Sequence, residues 1–203
     1  MTKSCFYLIE TDTTENIIST YSKHIRYFFD QALTSFNLVT VKPKDNLDMQ
    51  LIELLTLETI ELSLSENSEN NFLNAINELQ NPYINELLDY LPNLTMRFKD
   101  LNYDQKIVFS FIRSVLRKHE CILIEKIDEH LSAEVFNNIK NAMAFQKEQS
   151  QTLYFILSSK AEYWLDICDK YFIIQDEVTK SIDNKIKTEY IESRTNVTNI
   201  ISI

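Results

Sequence analysis

The residues best suited to chemistry follow a short apolar run. In "ECILIEKIDEHLS", Cys121 to Ile124 lead straight into Glu125, Lys126, Asp128 and Glu129. A buried strand ending in carboxylates is a common way to hold magnesium beside a nucleotide, because that hard cation prefers oxygen ligands. Lys126 works against such a site: an ammonium has no acceptor lone pair and competes for the same carboxylate charge. A metal cluster of Glu125, Asp128 and Glu129 is the alternative, but it needs converging ligands, and no nearby histidine has helical pair spacing. Ser158 and Ser159 are adjacent hydroxyls, yet His24, His119 and His130 stand in no nucleophile pattern. Ser159, with Glu162 three residues on, reads as the N-cap of a helix. Trp164 beside Tyr163 reads as helix-face packing. Arg113, Arg117 and Lys118 in "RSVLRKH" suit a helix C-terminus, where the macrodipole favours cations.

Composition narrows the classes of function. The 203 residues carry a net charge of −10, which argues against a phosphate-backbone binder and against attraction to anionic lipid. Hydrophobic residues make up 44% and charged residues 25%, enough to bury one core. Nothing in "MTKSCFYLIE" resembles a signal peptide, and no apolar run approaches the ~18 residues of a spanning helix. Cys5, Cys121 and Cys168 are scattered; two lie in strand-like runs and read as small core residues, not as ligands or bridges, which fits a reducing cytoplasm. The chain has no glycine, where average usage of ~7% predicts about fourteen. Without glycine, backbone amides cannot crowd a phosphate free of Cβ clashes, so a glycine-rich phosphate loop cannot form.

The elements expected to position these residues alternate. Apolar runs predict strands at 5–9, 37–41, 121–125 and from 152, with closing strands in "YFII" and "VTKSI". Asp12 and Glu15 have capping-box spacing ahead of a helix reaching about 33. Asn102 and Gln105 repeat that spacing ahead of a helix to about 119, and Ser159 with Glu162 ahead of one to about 169. Ser132 opens a helix to about 146. Further helices are expected at 47–62, dense in leucine and isoleucine, and at 72–79 and 84–90, with "LPNLTMRFKD" as a loop. The pattern predicts an α/β fold with a parallel-sheet core (residues 1–45 and 98–182), a helical subdomain (46–97) and a C-terminal tail (183–203).

In this order the segments resemble the ATPase domain of ABC transporters. "DLNYDQKIVFSFIRSVLRKHECILIEKIDEHLS" is similar, without gaps, to the family's LSGGQ signature, its helix, the Walker B strand and the D-loop. Leu101 and Gln105 match the ends of the signature, Arg113 an arginine of its helix, and His130-Leu131 the residues before the D-loop aspartate. "TLYFILSS" resembles the strand leading to the switch histidine, and "ICDKYFIIQDE" the closing strand. "CFYLIETDTTENIIST" has the register of the Walker A strand, loop and helix; "VTVKPKD" lies where the Q-loop strand ends. The likeness begins at the Walker A strand and leaves little chain before the Q-loop, implying a P-loop NTPase-like core with a reduced antiparallel β subdomain.

That resemblance implies a parts list for ATP hydrolysis, and the positions are degenerate. The Walker A positions hold Glu10, Asp12, Glu15, Asn16 and Ile17, with Asn16 for the lysine and Ile17 for the magnesium-binding hydroxyl. Carboxylates facing a triphosphate repel it; at ~5 Å even a well-screened pair costs on the order of 1 kcal/mol. Glu125 takes the strand-end aspartate position and could still bind magnesium on charge alone. Lys126 replaces the catalytic glutamate and Ser158 the switch histidine. Lys44 replaces the Q-loop glutamine, and Asn102, Tyr103 and Asp104 replace the signature's inner residues. The resemblance therefore implies a pseudo-ATPase, binding ATP and magnesium only if a partner completes the site. It would join an active ABC ATPase subunit or permease subunits in a hetero-oligomer at the inner face of a membrane, without inserting and without nucleic acid. The alternatives are a divergent metal-dependent nucleotide hydrolase and a soluble regulator or adaptor unrelated to transport.

Overall fold

The computed structural model describes residues 5–11, 38–41, 48–56, 68–117, 121–149, 152–175 and 178–182. Six strands form one sheet: β1 (Cys5–Thr11), β2 (Leu38–Val41), β3 (Cys121–Glu125), β4 (Leu153–Ser158), β5 (Lys170–Gln175) and β6 (Val178–Ile182). Their spatial order is β2-β3-β4-β1-β5-β6. All neighbours are parallel except β5 and β6, which run antiparallel. The strands sit where the apolar runs predict them, and β3 has the expected bounds.

These runs are nearly continuous because both faces of the sheet are covered, as parallel sheets require. Alternate residues sort to the two sides. Phe6, Leu8, Ile122, Ile124, Tyr154, Ile156, Tyr171 and Ile173 join the larger core cluster. Tyr7, Ile9, Cys121, Leu123, Phe155, Leu157, Phe172 and Ile174 form a second cluster. On that side Tyr7 stacks on Phe155 with centroids 4.7 Å apart. Burial pushes the Cys121 thiol up to about 12, so it serves as core and not as a nucleophile.

The described helices are α1 (Leu51–Thr56), α2 (Ser68–Glu78), α3 (Pro82–Leu88), α4 (Tyr103–Leu116) and α5 (Ala133–Gln149). Residue 47 and residues 57–62 of the expected helix at 47–62 lie outside the described residues, as do the expected helix reaching about 33 and the C-terminal tail at 183–203. Leu51, Leu54, Phe72, Ile76, Ile84 and Leu87 belong to the same cluster as the sheet's larger face, so one core joins helices and sheet. The helices expected at 72–79 and 84–90 each begin earlier, for a local reason at α3. Asn81, almost wholly buried, accepts from the Tyr83 amide at 3.1 Å and donates to Ala142 O at 3.0 Å. Pro82 supplies the fixed φ of a first helical turn.

The chain after β4 departs from expectation. No helix spans 159–169: a 3₁₀ turn at Ala161–Tyr163 is followed by hydrogen-bonded turns. The Ser159 hydroxyl donates to Glu129 Oε1 instead of capping, and the Lys160 amide is taken by Ser158. Trp164 therefore packs from a turn, fully buried, with Phe136 edge-on at 4.9 Å. Asp169 then ties the start of β1, accepting from the Phe6 amide through Oδ2 (2.8 Å) while its own amide donates to Phe6 O (2.9 Å).

Lacking glycine, the chain puts other residues where φ is positive: Gln80 and Lys126 both have φ of 48°. Gln80 ends α2, where a glycine normally relieves the Cβ clash. Gln80→Gly is expected to raise unfolding free energy by about 0.5–1 kcal/mol, read by urea denaturation with an unchanged m-value.

Candidate functional site

Sheet order reverses at β1, whose neighbours β4 and β5 follow it late in the chain, and open α/β sheets bind ligands at the C-terminal strand ends beside such a point. The strand register delivers three of the expected residues there. Glu10 is paired with Ser158 across β1 and β4, and Glu125 with Leu157 across β3 and β4. Asp12, Glu15, Asn16, Ile17 and Lys44 lie outside the described residues.

Glu10 is almost wholly buried and accepts a hydrogen bond from the Tyr171 hydroxyl on β5. A carboxylate in that environment requires such a donor, since leaving it unpaired costs several kcal/mol. Glu125 closes β3 half-buried. Lys126 follows in a left-handed conformation, its amide donating to Leu157 O at 2.8 Å. That bond and the αL turn direct residues 127–131 alongside the loop after β4.

Ser158 is fully buried. Its hydroxyl donates to Asp128 Oδ2 at 2.8 Å and accepts from the Lys160 amide at 2.8 Å. Asp128 is itself buried, and desolvation holds its carboxyl above the usual carboxylate range. Hydrogen bonds from Ser158 and from its own backbone act the other way, as does the Trp164 indole, while Glu129 adds to the rise. Asp128 Oδ1 and Trp164 Nε1 are both shielded from solvent and miss hydrogen-bond geometry, although the indole is near enough to favour the charged carboxylate. Glu129 takes the Ser159 hydroxyl (2.8 Å), and His130 Nε2 lies 3.8 Å from its Oε2. Asp128 and Glu129 are thus engaged with serines, and among the described residues no three His, Cys, Asp or Glu side chains are placed to hold a metal ion.

The residues at the signature positions gather elsewhere, at the head of α4. Asn102 and Gln105 make the expected capping box, with bonds of 2.9 and 3.1 Å. Leu101 is core. Tyr103 is partly exposed and meets His130 edge-on at 5.8 Å. Asp104 Oδ2 accepts from the Ser132 amide at 3.3 Å. Gln105 also donates to Tyr90 O at 3.1 Å, and the Tyr90 hydroxyl is raised to about 12 by its hydrogen bond with Glu134. Sequence reasoning singled out Asp128 only as a metal-cluster acid and missed its partners. Tyr171 gave no signal at all inside the apolar run "KYFII".

No protein-family model and no curated protein matches the chain. Solved structures do. It is similar to a structure of RNase-L Inhibitor, with TM-score 0.60 and 12% identity over 89% of this chain and 34% of that one. It is similar to a metal-chelate type ABC transporter in an inward-facing conformation, with TM-score 0.63 and 9% identity over 91% and 75%. In the complex of archaeal ribosomal stalk protein aP1 with ribosome recycling factor aABCE1, the match has TM-score 0.64 and 11% identity over 95% and 37%. The chain spans well under half the length of the first and third of these. At such identities the likeness concerns the backbone alone, and the fold it gives this chain is that of ABC-type ATPase domains.

Proposed function

We propose that this chain is an ABC-type pseudo-ATPase, a structural or regulatory partner within an ABC transporter-like membrane complex. The observation that carries the reading is Glu10. A buried carboxylate, hydrogen-bonded to Tyr171, stands one residue before the end of β1, where that fold would have backbone amides begin to approach a nucleotide's phosphates. Side chain and charge both oppose a polyphosphate there. Lys126 supports the reading, since an ammonium cannot accept a proton from water. So does Ser158, whose hydroxyl is already committed in both directions.

The residues described do not suit a magnesium nucleotide, and no catalytic step is assigned to them. ATP and magnesium would bind only if a partner completed the site. Calorimetric titration of the full chain with magnesium-ATP is expected to give no saturable heat into the millimolar range, with phosphate release at buffer background. Tight binding or sustained turnover would overturn the reading.

The partner would be an active ABC ATPase subunit or a permease subunit. Attachment to a membrane would come through such subunits; among the described residues no helix is long and apolar enough to cross a membrane. A soluble adaptor is the second reading, favoured by the likeness to a ribosome recycling factor captured with a stalk protein. Native co-purification separates the two: membrane permeases support the first, a soluble assembly the second.

A further inference from the structure

We infer that the loops after β3 and β4 form a self-closed lock, built from this chain's own side chains with Ser158 as the shared part. Three bonds tie the loop after β3 to the end of β4 and the loop that follows it: Lys126 N–H to Leu157 O (2.8 Å), Ser158 Oγ to Asp128 Oδ2 (2.8 Å) and Ser159 Oγ to Glu129 Oε1 (2.8 Å). Consecutive serines 158 and 159 thus engage consecutive acids 128 and 129. Ser158 also accepts from Lys160 N–H, so one hydroxyl fixes its own loop and its neighbour at once. The inner strap is sealed: Ser158 has no exposed surface, Asp128 is 7% exposed and Trp164 closes over it at 0%. Buried polar bonds of this kind are costly to open because neither partner reaches water. The outer strap, Ser159 to Glu129, is exposed.

The lock holds these two segments in one arrangement relative to each other, so that residues 126–131 and 158–160 offer a partner a constant surface. It needs no ligand to close. It stands on the geometry of the two loops and is independent of whether the chain binds a nucleotide.

Amide hydrogen exchange, resolved by residue on the full chain without nucleotide, tests it. The Lys160 amide is expected to exchange slowly. Ser158→Ala should speed its exchange by about tenfold, the loss of one hydrogen bond. Asp128→Ala should do the same although Asp128 does not touch Lys160, because Ser158 loses the acceptor that orients it. Asp128→Asn keeps an acceptor for Ser158 and should stay within about threefold of the unaltered chain. A Lys160 rate unchanged by Asp128→Ala would show a turn local to residues 158–160 and overturn the lock. So would an Asp128→Asn rate as fast as that of the alanine variant. Should Asp128→Ala fail to fold, Asp128→Leu, which keeps the side-chain volume and removes the acceptor, takes its place with the same two outcomes, and in the unaltered chain a Lys160 amide exchanging like an unstructured peptide overturns the proposal.

Discussion

Replacing Trp164 by alanine is expected to remove about 3–5 kcal/mol of stability, a large part of the 5–15 kcal/mol typical of a domain. Trp164 is the chain's single tryptophan and has no exposed surface. It sits in the larger core cluster, edge-on to Phe136. Its backbone knots the connection between β4 and β5: its amide donates to Ala161 O, and its carbonyl accepts from the amides of Ile167 and Cys168. Trp164→Phe keeps most of the ring and should cost about 1–2 kcal/mol. It removes the indole N–H that favours the charged form of Asp128, so the Asp128 carboxyl should titrate at still higher pH. Guanidinium denaturation followed by far-ultraviolet circular dichroism checks both variants, since neither retains tryptophan fluorescence. An alanine variant within about 1 kcal/mol of the original would mean that the turn does not depend on the indole.

What could be read from the sequence divides along physical lines. Apolar runs such as "CILI" and "TLYFILS" gave the strands because burial on both sheet faces leaves a signal in composition alone. The capping box of Asn102 and Gln105 was legible because its two bonds join residues three apart. Ser159 with Glu162 shows the same spacing without the helix. There the competing partners are Glu129 and Asp128, thirty residues distant, and no local pattern reports them. Glu10 raised the right question of charge, whereas its Tyr171 donor lies 161 residues away and emerges only once β1 and β5 are paired. Lys126 could be read as the wrong chemistry for a general base. Its left-handed backbone could not, because in a chain without glycine no residue type marks the position.

The remaining large effect belongs to Asp128. Asp128→Ala is expected to cost on the order of 2 kcal/mol, the range for leaving buried hydrogen-bonding groups unsatisfied. Asp128→Asn separates charge from hydrogen bonding. Burial raises the folded-state pKa of this carboxyl above its ordinary value of 3.8. Between the unfolded and folded values the native chain binds more protons than the unfolded one, so the Asp128 contribution to stability falls as pH rises through that window. Below it both states are protonated and the penalty vanishes; above it the penalty is constant. Asparagine has no such titration. The stability of Asp128→Asn relative to the original chain should therefore improve as pH rises from below the carboxylate range toward neutrality, whatever the fixed cost of exchanging an oxygen for an amide. Urea denaturation of both proteins across that range measures the difference. A difference that is flat with pH, or that shifts toward the aspartate, would mean that desolvation does not dominate at Asp128, and that the Ser158 hydroxyl and the Trp164 indole together hold the ionised carboxylate without penalty.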